Sequence, residues 1–127
     1  METTYEILIA DRNPHIRGFL RRELRASGYT VQMVENSKEL LKQIDANTLI
    51  RLLILDPDFP GIDSINLGRR LADRNPQLPV IMHCVRGTGD FFDWNDNEVI
   101  RIEKNGSSIE VLKKTIRNII PNQGPAS

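Results

Sequence analysis

Much is scarce in this chain, and each scarcity removes a class of function. Its 127 residues include one cysteine, Cys84, which rules out an internal disulfide, and no Cys/His spacing suits zinc. Charge of one sign is not in excess: 17 Lys and Arg meet 17 Asp and Glu, so no broad field draws the chain to nucleic acid or an anionic membrane. The longest apolar run, Leu49 to Leu55, contains Arg51 and is far too short to cross a bilayer. The opening residues Met1 to Tyr5 lack the basic, then apolar, then small-residue plan of a secretion signal, so the expected location is the cytoplasm. No internal repeat or low-complexity tract occurs. No glycine-rich loop follows the first apolar run, which argues against a dinucleotide binder or a flavodoxin-like enzyme of that kind.

What remains is alternation. Ile7 to Ala10 reads as a strand buried on both faces. Asn13 then offers an N-cap and Pro14 a first helical position, with Ile16, Phe19, Leu20 and Leu24 at helical spacing and Gly28 closing the helix. Tyr29 to Val34 predicts a second strand, and a helix from about Ser37 carries Leu40, Leu41 and Ile44 inward. Leu52 to Asp56 is an apolar run ending in a carboxylate, followed by the turn Pro57 to Gly61. Ile65 to Ala72 predicts a third helix, Leu78 to Met82 a fourth strand and Val99 to Ile102 a weaker fifth. Ser107 and Glu110 have the spacing of a capping box for a last helix bearing Ile109, Leu112, Ile116 and Ile119. Pro121 stops that helix. Between Arg86 and Asn97, glycines and aspartates dilute the pattern, so a short or irregular fourth helix is expected there. The sum is one α/β domain over residues 1–121, a five-stranded parallel sheet in order 2-1-3-4-5 with helices on both faces, and a flexible tail or linker stump at 122–127.

Open parallel sheets bind ligands beyond the carboxyl ends of their strands. Those ends here carry Asp11, Asp56, His83 with Cys84, and Lys104, so two carboxylates and a lysine converge on one rim. Such a set suits a divalent cation and a phosphoryl group. Taken singly, each residue also fits a plain role: a helix-capping aspartate or a solvated lysine.

At this point the chain resembles the receiver domain of two-component response regulators. The resemblance rests on Ile7 to Asp11 with Pro14 and Ile16-Arg17, on Gly28 to Val31, and on Leu53 to Asp56 with Pro60 to Asp63. It is completed by Leu78 to Met82 and Lys104, and spans residues 5 to about 120. It implies a flavodoxin-like (βα)5 doubly wound fold. It also implies a phosphoacceptor signalling domain rather than an enzyme, with self-phosphorylation from small donors and autodephosphorylation. On this resemblance Asp56 is the phosphoacceptor, and Asp11, Asp56 and the backbone carbonyl of Asp58 hold Mg²⁺. Lys104 contacts the phosphoryl oxygens. The implied partners are a sensor histidine kinase or phosphotransfer protein, and an output domain or partner protein. A homodimer is compatible with the pattern; direct nucleic-acid and membrane binding are not expected.

The departures from the family pattern are specific. Arg12 stands where a second carboxylate is usual, so the Mg²⁺ site is expected to be weakened. Cys84 stands at the usual Thr/Ser position and offers only a weak S–H donor. Arg101 replaces the switch aromatic and is expected to be exposed; Asn105 replaces a proline and Ser64 a glycine. These changes keep open an alternative: an atypical receiver serving as a phosphorylation-independent interaction module, with Arg12 supplying charge in place of Mg²⁺. Elsewhere, Arg17, Arg21, Arg22 and Arg25 form a basic helix face that fits either solvent or an acidic partner. His83 reads as a satisfied polar group, and Phe91, Phe92 and Trp94 as inward packing or a contact patch.

Overall fold

In the computed structural model, residues 5–47, 49–74, 77–85 and 99–121 are described. The strands are β1 (Ile7–Ala10), β2 (Val31–Met33), β3 (Leu52–Leu55), β4 (Val80–Cys84) and β5 (Val99–Glu103). The helices are α1 (Pro14–Ala26), α2 (Ser37–Ala46), α3 (Ser64–Ala72) and α4 (Ser108–Ile119). All pairings are parallel and the sheet order is β2-β1-β3-β4-β5, as the alternation predicts.

The central strands are apolar at nearly every position because both faces are covered. Leu8, Leu53, Leu55, Val80 and Met82 point to one face, where Leu40 and Ile44 of α2 and Leu67 and Leu71 of α3 meet them. Ile7, Ile9, Leu52, Ile54 and Ile81 point to the other, against Leu20 and Leu24 of α1 and Leu112 and Ile116 of α4. The period-two alternation of the strands therefore divides one run of aliphatic residues between two cores. Each fully buried leucine or isoleucine contributes roughly 1.5–3 kcal/mol. Tyr29 ties the segment after α1 to the end of α4, its hydroxyl donating to the Ile120 carbonyl at 2.8 Å within the second core.

Local chemistry sets the helix ends. Asn13 Oδ1 accepts from the His15 and Ile16 amides, with Pro14 opening α1, and Gly28 takes φ 99° just past its end. Asp63 Oδ1 caps α3 in the same way, accepting from Ile65 and Asn66, so that helix begins at Ser64 rather than Ile65. Two expectations fail. Phe19 is 39% exposed instead of inward: Leu20 and Leu24 hold the buried stripe, and the Arg22 guanidinium lies 5.7 Å from the Phe19 ring centre. The Ser107–Glu110 capping box does not form, because Asn105 Oδ1 captures both the amide and the hydroxyl of Ser107. The expected fourth helix and the aromatics Phe91, Phe92 and Trp94 lie outside the described residues.

Candidate functional site

The topology brings the ends of β1 and β3 side by side and puts β5 two strands away. Asp11 follows β1 and Asp56 follows β3; both are buried. Asp56 is fixed there by its own amide, which donates to the Ala10 carbonyl at 2.8 Å. Its Oδ1 accepts from the Asp58 amide at 2.9 Å, closing the tight turn after the strand. Its Oδ2 accepts from the Arg12 amide at 3.3 Å. Asp11 Oδ1 accepts from the Asn13 amide at 2.9 Å, and Arg17 donates to the Asp11 carbonyl at 2.9 Å. The first of the α1 arginines is thus tied to the site's backbone.

Lys104 follows β5 and reaches across the end of β4. Its Nζ lies 2.9 Å from Asp11 Oδ2 and 3.3 Å from Asp56 Oδ2, with only 13% of its side chain exposed. Two buried carboxylates without a cation would repel strongly, so the shared ammonium is what makes their burial tolerable. The Lys104 amide donates to the Cys84 carbonyl at 2.8 Å, which anchors the residue to β4.

Arg12 is half exposed and sits on the solvent side of this pair. Its Nε is 3.6 Å from Asp56 Oδ2 and one terminal nitrogen is 3.7 Å from Asp58 Oδ2. The guanidinium therefore spans the two acidic side chains that border the rim. Cys84 is the last residue of β4, is buried, and directs its thiol to the Met82 carbonyl at 3.8 Å, a weak contact. Arg101 is exposed, as its charge requires.

Among the described residues no three His, Cys, Asp or Glu side chains gather as a metal-holding group. The donor set facing the rim is Asp11, Asp56 and the turn at Asp58, all oxygen. Asp11 Oδ2 has its ion pair with Lys104 but, among the described residues, no further hydrogen-bond partner. That set fits a hard, oxygen-seeking cation, with Arg12 as its competitor.

The sequence brought forward Asp11, Arg12, Asp56, Asp58, Cys84 and Lys104, and the fold gathers all of them at one end of the sheet. It did not bring forward Ser108, whose Oγ lies 3.1 Å from Nε2 of buried His83. His83 Nδ1 is buried with no partner among the described residues. Burial, then the Lys104 ammonium, lowers its pKa from 6.5 to about 4 against the opposing pull of Asp11 and Asp56. No sequence signal separates such a histidine from an ordinary strand residue.

Comparison with known proteins agrees with this geometry. The response regulator receiver domain model matches residues 7–93. The chain is 32% identical over 80 residues to response regulator MprA of Mycobacterium ulcerans, covering 63% of this chain and 34% of that protein. It is 35% identical over 74 residues to sensor protein EvgS of Escherichia coli, covering 58% of this chain and 6% of that protein. The chain thus spans only a small part of these relatives' length. Response regulator TrrA of Thermotoga maritima, solved in complex with Mg²⁺-BeF, superposes with TM-score 0.74 at 25% identity, covering 91% of this chain and 99% of that one. TrrA has also been solved in complex with the histidine kinase ThkA, with TM-score 0.71 to this chain. Strand order, site geometry and sequence match agree: the chain belongs to the response regulator receiver domain family of two-component signalling.

Proposed function

We propose that this chain accepts a phosphoryl group on Asp56 from the phosphohistidine of a sensor kinase or phosphotransfer protein, and so regulates an output domain or partner. The observation that carries the reading is the Lys104 ammonium lying 2.9 Å from one buried carboxylate and 3.3 Å from the other. A cation held there is placed to meet the charge that gathers on phosphoryl oxygens during transfer. In the step, an Asp56 carboxylate oxygen attacks phosphorus. The P–N bond to the donor imidazole breaks, and the imidazole leaves with the electron pair. The Asp58 and Arg12 amides fix the Asp56 carboxylate before attack, so its orientation is set in advance.

Mg²⁺ would be held by Asp11, Asp56 and the backbone carbonyl of Asp58, and when bound it neutralises phosphoryl charge. Arg12 sets the terms. Its guanidinium, lying beside the Asp56 and Asp58 carboxylates, would compete with a cation there and would serve phosphoryl oxygens from the side. Cys84 supplies only a weak donor at the rim, so Lys104 and Arg12 carry most of the anion stabilisation. TrrA's complex with a histidine kinase supports the choice of partner.

A second reading draws on the same arginine. With Arg12 at 3.6 Å from Asp56 and 3.7 Å from Asp58, the site already holds a positive charge where a metal would sit. The domain would then bind its partner without phosphorylation. Intact mass spectrometry after incubation with acetyl phosphate and Mg²⁺ separates the two. The first reading expects a gain of one phosphoryl group, absent in Asp56→Asn; the second expects no gain and unchanged partner binding in Asp56→Asn.

A further inference from the structure

His83 takes no part in the steps above, yet it is buried beside the site. It lies on the α1–α4 face of the sheet, in the same register as Ile81, and pairs with Ile102 of β5. Strand β4 separates the strand that carries Lys104 from the one that precedes Asp56. The Lys104 side chain must therefore cross the end of β4, where His83 sits.

The two residues are linked a second way. Lys104 and Ser108 are the ends of one short turn. The Ser108 amide donates to the Asn105 carbonyl at 3.2 Å, and Asn105 Oδ1 binds the Ser107 amide at 2.9 Å. At one end the turn is pinned by the Lys104 amide on the Cys84 carbonyl. At the other it is pinned by Ser108 Oγ on His83 Nε2 at 3.1 Å, both residues being buried. Ser107, the residue spaced for an N-cap, is engaged with Asn105, so among the described residues no side-chain cap fixes the start of α4. Among the described residues the His83–Ser108 hydrogen bond is the buried side-chain attachment that does so.

We propose that His83 is a positioning residue of the site: through Ser108 it fixes the 105–107 turn, and with it the reach of Lys104 to Asp11 and Asp56. A hydrogen bond between two buried groups is directional and hard to replace with water, which suits it to hold a turn. The same link runs in reverse. If Lys104 shifts toward a phosphoryl group, the turn carries the shift to Ser108, and α4 moves against a fixed imidazole on β4. This chain would thereby couple its site to α4 by a path that does not include exposed Arg101. The inference deepens the phosphoacceptor reading and rests on it for the loaded state only.

The test uses the isotope-labelled full chain, with Ser108→Ala, Ser108→Thr and His83→Leu, by NMR. In the unloaded protein, the Lys104 ammonium is expected to be ordered and slow to exchange in the wild type and in Ser108→Thr, which keeps the hydroxyl. Ser108→Ala and His83→Leu should each lower its order and speed its exchange severalfold. Thermal unfolding of the same proteins gives the purely structural effect for comparison. A Lys104 signal in Ser108→Ala indistinguishable from the wild type overturns the proposal. Beryllofluoride with Mg²⁺ is then added as the phosphoryl mimic. Amides at Asp11 and Asp56 should shift in all folded variants, while the shifts across Ser108–Ile119 should fall to less than half in Ser108→Ala. Undiminished α4 shifts in that variant also overturn the proposal. Silence at Asp11 and Asp56 in the wild type instead counts against the phosphoacceptor reading, while the unloaded comparison still decides the role of His83.

Discussion

Replacing Arg12 by aspartate should tighten Mg²⁺ binding and speed the labelling of Asp56. The guanidinium lies 3.6 Å from Asp56 and 3.7 Å from Asp58, so a cation seated between Asp11, Asp56 and the Asp58 turn would have a like charge within a few ångströms. Arg12→Asp changes that neighbour by two charge units and adds an oxygen ligand. Two such units acting on a divalent ion at ~5 Å are worth about 3 kcal/mol at the dielectric of water, and about 2 kcal/mol after screening at physiological salt. The high dielectric applies because half of the Arg12 side chain is exposed. Affinity should therefore rise about thirtyfold, more if the new carboxylate coordinates directly. The assay is a Mg²⁺ titration of wild type and variant, followed by NMR shifts at Asp11 and Asp56, paired with rates of acetyl-phosphate labelling. Arg12→Lys, which keeps the charge, should stay near the wild type. Equal Mg²⁺ affinity in wild type and Arg12→Asp would refute the electrostatic argument and show that the guanidinium leaves the rim at no cost.

Other perturbations have definite signs. His83 is held neutral by burial and by Lys104, so its folded pKa, about 4, lies below the unfolded 6.5. Its contribution is complete above the unfolded value and is lost as pH falls from there toward the folded one, a decline of about 2–3 kcal/mol. The imidazole carbon and nitrogen shifts should stay those of a neutral ring at pH 5.5, and a ring charged at that pH would contradict the account. Gly61→Ala should destabilise by about 2 kcal/mol in urea denaturation. Its φ is +79°, and a Cβ there would come within 2.6 Å of Ser37 Oγ. Wild-type stability would show that the turn relaxes freely. Tyr29→Phe should cost about 1–2 kcal/mol, since it strips the buried Ile120 carbonyl of its donor. A neutral result in the same denaturation assay would mean that the chain's end finds another donor.

The parts of this fold legible in the sequence are those governed by local pattern. Unbroken aliphatic runs such as Leu52 to Leu55 identify buried parallel strands, and Asn13 with Pro14 marks a helix start that no competing group disturbs. Asp11, Asp56 and Lys104 were legible because strand ends in such a sheet must share a rim. The failures come from competition that spacing cannot reveal. Ser107 and Glu110 have capping-box spacing, but Asn105 is nearer to Ser107 and takes both its donors. Phe19 has helical spacing yet lies off the stripe through Leu20 and Leu24, where Arg22 covers it. The His83–Ser108 pair joins residues 25 apart on different elements, and neither has a neighbour in sequence that announces the other. Asp63 caps α3 so that it begins at Ser64, one residue ahead of its first apolar position, Ile65, and apolar spacing alone does not mark the true start of that helix.

The central claim is that Asp56 takes the phosphoryl group. Its most direct test is to label the wild-type chain with acetyl phosphate and Mg²⁺, reduce the acyl phosphate with borohydride, and map the altered residue by peptide mass spectrometry. The account predicts reduction at Asp56 alone, abolished by Asp56→Asn and slowed by loss of the Lys104 ammonium. A folded wild-type chain that yields no reduced residue, or yields it at Asp11 or Asp58 instead, would contradict it.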